Sequence, residues 1–239
     1  HRVFLNKSFN DDGAEVSYVL PTDIYAEVGG GVFRGDDFPI GGSVSGLGGW
    51  SAFGRIGGDI GDNQSWRLGG YTLQGDVNAR TTNEDTITFT GKSNLYAVDL
   101  RYTWAPTGNA SEQELILQAE YFHRSEDGEY NVGNGAVSFD DDAGGWYAQA
   151  VYKFAPAWRL GARYSRMHAP DTPVGLVGSA LDSAGHDPEA FAIMGDWTNS
   201  EYGRIRLQYN REELADNRSD NQFLLQYIMS IGAHGAHPY

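Results

Sequence analysis

His234 and His237 come nearest to metal chemistry by type and spacing. In Gly232-Ala-His-Gly-Ala-His-Pro238 the His-x-x-His step lets both imidazoles reach one Zn²⁺ or Cu²⁺, metals that imidazole suits. Two ligands fall short of the three or four that zinc normally takes, and the same residues read equally well as a tail behind the last strand. Zinc or another divalent cation at this pair is the one cofactor expectation. His168 and His186-Asp187 offer a second pair within one long connection, with solvated loop residues as the alternative. Asp140-Asp-Asp142 lacks the spaced ligands and the glycine of an EF-hand loop. Nucleophilic catalysis needs a Ser or Thr beside an oriented base. No Gly-x-Ser-x-Gly occurs, and Ser165 with His168 is the best available pair. No catalytic residue is assigned, and no enzymatic activity is expected.

A different chemistry resides in charges that recur at every second residue. Arg55, Arg67, Asp99, Arg101 and Glu120 alternate with apolar neighbours, and so do Lys153, Arg159, Arg163, Asp196, Arg204 and Arg206. Glu15, Glu27 and Asp59 fall in the same phase. Facing one another across water, such basic and acidic rows place a transverse field over a pore and sort solutes by charge. Paired with one another, the same side chains plug a narrow barrel. Strand number separates the two readings, because ~8 strands fill with side chains whereas ~16 leave a channel. The remaining acids, Asp36-Asp37, Glu84-Asp85, Glu126-Asp127 and Asp140–Asp142, fall in long connections. There they concentrate cations at a mouth or simply face solvent.

These rows have meaning only on strands, and the hydropathy pattern supplies them. Eleven segments alternate with period two: 14–20, 24–33, 49–60, 66–74, 93–104, 114–123, 145–154, 158–167, 189–197, 202–211 and 222–232. In the last, Phe223, Leu225, Tyr227, Met229 and Ile231 share one face. Tyr96, Val98, Leu100, Tyr102 and Trp104 oppose Asp99 and Arg101; Leu207 and Tyr209 oppose Arg204 and Arg206. Short links alternate with the longer 34–48, 75–92, 124–144, 168–188 and 212–221, the asymmetry of a transmembrane barrel with tight periplasmic turns and long outer loops. Trp66, Trp104, Phe154, Trp158 and Trp197 lie near the short turns and suit a periplasmic aromatic girdle. Trp50, Tyr121, Trp146, Phe191 and Phe223 sit near the opposite ends and suit an outer one.

Composition narrows the alternatives. The chain has 239 residues, 32 glycines and no cysteine, which excludes disulfides and thiolate metal sites. Mean hydropathy is −0.46, and no apolar run approaches the ~20 residues of a membrane helix, which leaves barrels untouched. A net charge of −15 removes a basic nucleic-acid footprint, so no nucleic-acid partner is expected. The expected fold is all-β, an antiparallel transmembrane barrel of about eleven strands in a single domain, residues 1–239. Bacterial single-chain barrels have even strand numbers. Either residues 1–10 hold part of another strand or further strands precede this sequence, and the second is favoured. Asn6–Gly13 reads as an outer loop descending into the first strand.

Asn10-Asp-Asp-Gly13, Ser17-Tyr-Val-Leu-Pro-Thr-Asp23, Gln118-Ala-Glu-Tyr-Phe122, Trp146-Tyr-Ala-Gln-Ala-Val-Tyr152, Arg204-Ile-Arg-Leu-Gln-Tyr-Asn210 and the ending Leu225–His237 together resemble one family. It is the porin-like outer-membrane proteins often labelled zinc-regulated, or "TonB-dependent receptor", in proteobacteria. Gly-Ala-His-Gly-Ala-His is the most specific element. Members are longer, so the resemblance implies that this chain corresponds to their C-terminal portion. No plug domain or TonB box is visible.

The expectation is an outer-membrane, porin-like channel of a Gram-negative bacterium for passive diffusion of small hydrophilic solutes, including metal ions or their complexes. The alternative is a structural or interaction barrel with a filled lumen, acting as subunit or sheath in an envelope complex. Expected partners are outer-membrane lipid and lipopolysaccharide, the barrel assembly machinery through the C-terminal strand, the solutes themselves, and other envelope proteins.

Overall fold

The computed structural model describes residues 2–5, 8–42, 46–82, 86–133, 135–200, 202–215 and 218–229. In chain order the elements are α1 (Arg2–Leu5), β1 (Gly13–Val19), β2 (Tyr25–Phe33), β3 (Gly41–Gly42), β4 (Gly49–Asp59), β5 (Gln64–Thr81) and β6 (Thr88–Trp104). They continue with β7 (Glu114–Asn131), β8 (Ala136–Ala155), β9 (Trp158–His168), β10 (Glu189–Ser200), β11 (Gly203–Ala215) and β12 (Arg218–Met229). All eleven expected strands are present, each paired antiparallel with its sequence neighbour, and β3 is an addition that pairs parallel with β5. β1 and β12 are the two edges, and no pairing joins them among the described residues.

The fold is all-β, the antiparallel sheet of a transmembrane barrel, and its outward face shows why. Leu100, Tyr152 and Leu207, which a soluble fold would bury, are 47%, 38% and 60% exposed. On β6 the outward series is Trp104, Tyr102, Leu100, Val98 and Tyr96; on β8 it is Phe154, Tyr152, Ala150, Ala148 and Trp146. Beyond those upper aromatics the same face turns polar, at Asn94 and Lys92 and at Asp142 and Asp140. Water would penalise such an exposed belt, whereas acyl chains do not. The ten girdle aromatics expected from the sequence all lie on this outward face.

The belt also records strand tilt. Tyr96 pairs with His123, yet the belt of β7 ends at Tyr121; Trp146 pairs with Arg166, and β9 ends at Tyr164. Phe191 pairs with Arg211, and β11 ends at Tyr209. The edge thus slips two residues against the hydrogen bonds at three steps between β6 and β11. With ~3.3 Å rise and ~4.8 Å strand spacing, that slip corresponds to a tilt of roughly 35–40°, as barrels require.

Several strands run further than the sequence pattern indicates: β11 and β12 take up 212–215 and 218–221 of the connection expected at 212–221. β5, β6, β7 and β8 have 18, 17, 18 and 20 residues and take up most of 75–92 and 124–144, the expected long connections. Glu126-Asp127 and Asp140–Asp142 therefore sit on strands rather than in connections. A crossing needs ~9–11 residues, so roughly half of β8 stands clear of the bilayer. There the alternation inverts: Asp76, Lys92, Asp127 and Asp140 face outward, while Val77, Phe89, Tyr130 and Phe139 pack inward. Water now wets the outside, and only the inside offers dry packing.

Two segments occupy that interior. Residues 2–5 form a short helix rather than part of a strand, and Phe4 is 3% exposed. Its ring stacks on Phe122, and it fits because residue 145 is glycine: a Cβ there would lie 2.8 Å from the Phe4 ring. The 34–48 connection, expected outside, turns inward and places Ile40 among Phe4, Leu73, Leu95, Phe122 and Ala143. β3 anchors it against Val77 and Asn78. Gly41 and Gly42 have φ of +128° and +107°, and the Gly42 backbone lies directly on that of Asn78, so neither position accepts a side chain without strain.

Candidate functional site: the inward face of the sheet

The register places Arg55, Arg67, Asp99, Arg101, Glu120 and Lys153 on one inward face with Arg159, Arg163, Asp196, Arg204 and Arg206. Alternation at period two fixes this: each charge sits one residue away from a belt residue. They do not act as one row. Several of them fall into two separate assemblies, and a third assembly is built from other residues.

The first runs across β2, β4, β5 and β6. The Tyr25 hydroxyl donates to Glu27 at 2.5 Å, and Arg55 reaches Glu27 at 3.2 Å. Arg55 Nε donates to the Tyr71 oxygen at 3.1 Å, and the Tyr71 hydroxyl donates to Asp99 at 2.5 Å. Arg67 closes the chain on Asp99 at 3.1 Å. The Arg55 guanidinium also lies 4.5 Å from the Phe53 ring centroid, which lets a partly desolvated cation face an aromatic quadrupole. Glu120 Oε2 is buried with no hydrogen-bond partner, and Arg101 is exposed.

The second assembly is on β9–β11. Asp196 is buried, and Arg206 holds it with two hydrogen bonds while Arg159 and Arg204 approach one of the same oxygens. Nearby, Arg163 lies 3.7 Å above the Tyr147 ring centroid, and Lys153 Nζ donates to the Ala110 carbonyl at 3.2 Å.

The third lies above the belt, and its residues are outside the alternating charges that the sequence singles out. Arg80 pairs with Glu126 at 2.8 Å, and Arg124 approaches the same carboxylate at 3.7 Å. Both guanidinium groups lie 5.1 Å from the Phe38 ring centroid, and Arg80 donates to the Pro39 carbonyl. This cluster holds the inward loop in place. Its signal in the sequence was the inverted alternation around Val77, Phe89, Tyr130 and Phe139. Below the loop, a cavity of about 350 Å³ lies between Leu5, Phe9 and Phe33 on one side and Arg55, Arg67 and Asp99 on the other.

Other candidates fall apart. Ser165 faces inward and His168 outward, so they form no nucleophile–base pair. His168 Nδ1 instead meets Asp187 at 3.2 Å, while His186 Nε2 contacts the Glu213 carbonyl at 3.0 Å, so the two histidines of that loop do not converge. Asp187 is held below the usual carboxylate range: burial opposes the shift, but His168, the Ala169 amide and Arg166 outweigh it. In the same loop, backbone amides of Gly178 and Ala184 lower Asp182. No group of three or more metal-ligating side chains occurs among the described residues. His234 and His237 lie outside the described residues.

No family model matches the sequence. The chain is 26% identical over 269 residues to an uncharacterized protein of Aquifex aeolicus (strain VF5); all of the chain aligns, and it spans 54% of that relative. Among solved structures it is similar to the Pseudomonas putida toluene transporter TodX, with a TM-score of 0.40, 13% identity, and coverage of 88% of this chain and 72% of that one.

Proposed function

We propose that the chain is part of an outer-membrane, porin-like channel for passive diffusion of small hydrophilic solutes. The observation that carries the reading is the division of single strands: on β6, Leu100 is exposed on the belt while its neighbours Asp99 and Arg101 face inward. A sheet solvated by lipid on one side and lined with ions on the other has a use for the ions only if water reaches them. Lipid and lipopolysaccharide cover the belt in this reading. β12, with Phe223, Leu225 and Tyr227 outward, is the segment offered to the barrel assembly machinery. Metal ions or their complexes as cargo, and membership of the zinc-regulated family, rest on the sequence resemblance alone.

A second reading is favoured by one feature. Phe4, Ile40 and Phe122 fill the outer half of the interior, as a structural or interaction barrel with a filled lumen would have it. Reconstitution of the full-length protein in planar bilayers separates the two. Discrete ohmic steps support the channel; silence at protein densities where a known porin conducts removes it and leaves the sheath.

A further inference from the structure

The inward face is not evenly charged. On β8–β11, at belt level, Lys153, Arg159, Arg163, Arg204 and Arg206 are accompanied by a single acid among the described residues, Asp196. On β2–β7 the acids Glu27, Asp59, Asp99, Glu114 and Glu120 outnumber Arg55, Arg67 and Arg101. Within the basic wall, two cations are already committed: Lys153 faces Glu114 and donates to Ala110, and Arg206 is spent on Asp196 by hydrogen bonds of 2.7 and 3.0 Å.

Arg159 and Arg204 are in a different condition. Arg159 Nη2 is 3.5 Å and Arg204 Nη1 3.8 Å from Asp196 Oδ2, too long for well-formed hydrogen bonds. Arg204 Nε is buried with no hydrogen-bond partner. Because both guanidinium groups approach the same oxygen, they lie within one small ligand's span of each other. Their side chains remain 34% and 30% exposed, so a solute can touch them. Asp196 thus gathers the two forks without satisfying them, and the assembly keeps a net positive charge with donors to spare.

We propose that Arg159 and Arg204 form an oxyanion-binding site on the lumen wall, and that the channel's solute class is small carboxylated or phosphorylated compounds. Guanidinium forks match the paired oxygens of both groups, and a partly buried site strengthens such charge-assisted bonds. Asp196 is the positioning residue. This site goes further than the channel reading and depends on it only for transport, so it can be tested apart from conduction.

The test uses the full-length protein in detergent and in bilayers. Equilibrium dialysis with radiolabelled inorganic phosphate, and separately with acetate, measures binding directly; fold is checked by heat-modifiable mobility. Saturable binding of one or both anions is expected, at least tenfold weaker in Arg159→Gln and Arg204→Gln and unchanged in Lys92→Gln, whose side chain is on the outward face. Arg159→Lys and Arg204→Lys keep the charge but lose the fork; they should bind phosphate more weakly than wild type while retaining its reversal potential in a KCl gradient. Phosphate binding alone assigns phosphorylated solutes, and acetate binding carboxylated ones. Absence of saturable binding, or binding indifferent to all four variants, overturns the site. Binding without any conductance keeps the site and removes the channel.

Discussion

Arg206 holds Asp196 by two parallel hydrogen bonds, Nε to Oδ1 at 2.7 Å and Nη2 to Oδ2 at 3.0 Å, around a carboxylate that is 1% exposed. The two partners are not equivalent. Removing Asp196 leaves Arg159, Arg204 and Arg206 confronting one another, whereas removing Arg206 leaves Asp196 with two guanidinium groups ready to close in. Breaking a fully buried pair costs about 3–5 kcal/mol, and the partly exposed arginines reduce that to about 2 kcal/mol for Asp196→Ala. Arg206→Met should cost less than half as much. Urea midpoints of the refolded protein in detergent check the order, and equal costs would contradict the shared-carboxylate geometry.

Charge reversal inside should change ion preference. Arg101 and Arg163 face inward on β6 and β9, and Arg101 is exposed. Arg101→Glu and Arg163→Glu are each expected to move the zero-current potential in a KCl gradient toward cation selectivity. An unmoved potential removes that residue from the conducting path.

The middle of the outward belt tolerates no added charge. An arginine at the bilayer midplane of a barrel costs about 2–4 kcal/mol, falling toward zero near the interfaces. Leu100→Arg and Leu207→Arg, at the middle of the belt, should therefore lose stability on that scale. Asn94→Arg, on the outward face of β6 just above Tyr96, should be nearly neutral. Folding equilibria in lipid vesicles measure all three, and comparable losses would place the belt wrongly.

The inward loop should be separable from the wall. Ile40 is fully buried, and Ile40→Ala is expected to cost about 2–4 kcal/mol through lost burial and the cavity left behind. Gly42→Val meets the Asn78 backbone and should dislodge the loop altogether. If the loop narrows the path, the Gly42→Val channel shows a larger single-channel step; an unchanged step means that solutes pass elsewhere.

The loop between β9 and β10 carries a pH dependence. Folded Asp182 and Asp187 titrate below their ordinary values, so their contribution is present at neutral pH and above the ordinary carboxylate range. It is lost as pH falls through the lowered folded values, because the unfolded carboxylates take up protons at a higher pH than the folded ones, so acid favours the unfolded loop. Hydrogen exchange across 170–188 should accelerate under acid, and Asp182→Asn should reproduce part of that acceleration at pH 7. Exchange independent of both would show that the carboxylates do not order the loop.

Period-two alternation determined the eleven strands and which residues of each share a face, because a side chain's face follows from parity alone, whereas the order in which the strands pair is a property of the folded sheet. Arg101 is opposite Leu100 in any strand that contains both. Parity could not reveal what Arg101 or Asp196 touches, since cross-strand partners depend on register and tilt, which bring Arg159, Arg204 and Arg206 onto one carboxylate from two strands. It also misread 75–92 and 124–144: above the bilayer the wet and dry sides exchange, and an alternation of reversed phase resembles a polar loop. The inward course of Phe38–Ile40 and the lodging of Phe4 against Phe122 were decided only by tertiary structure, because the empty space beside Gly145 and Asn78 that admits them exists nowhere until the sheet has curved.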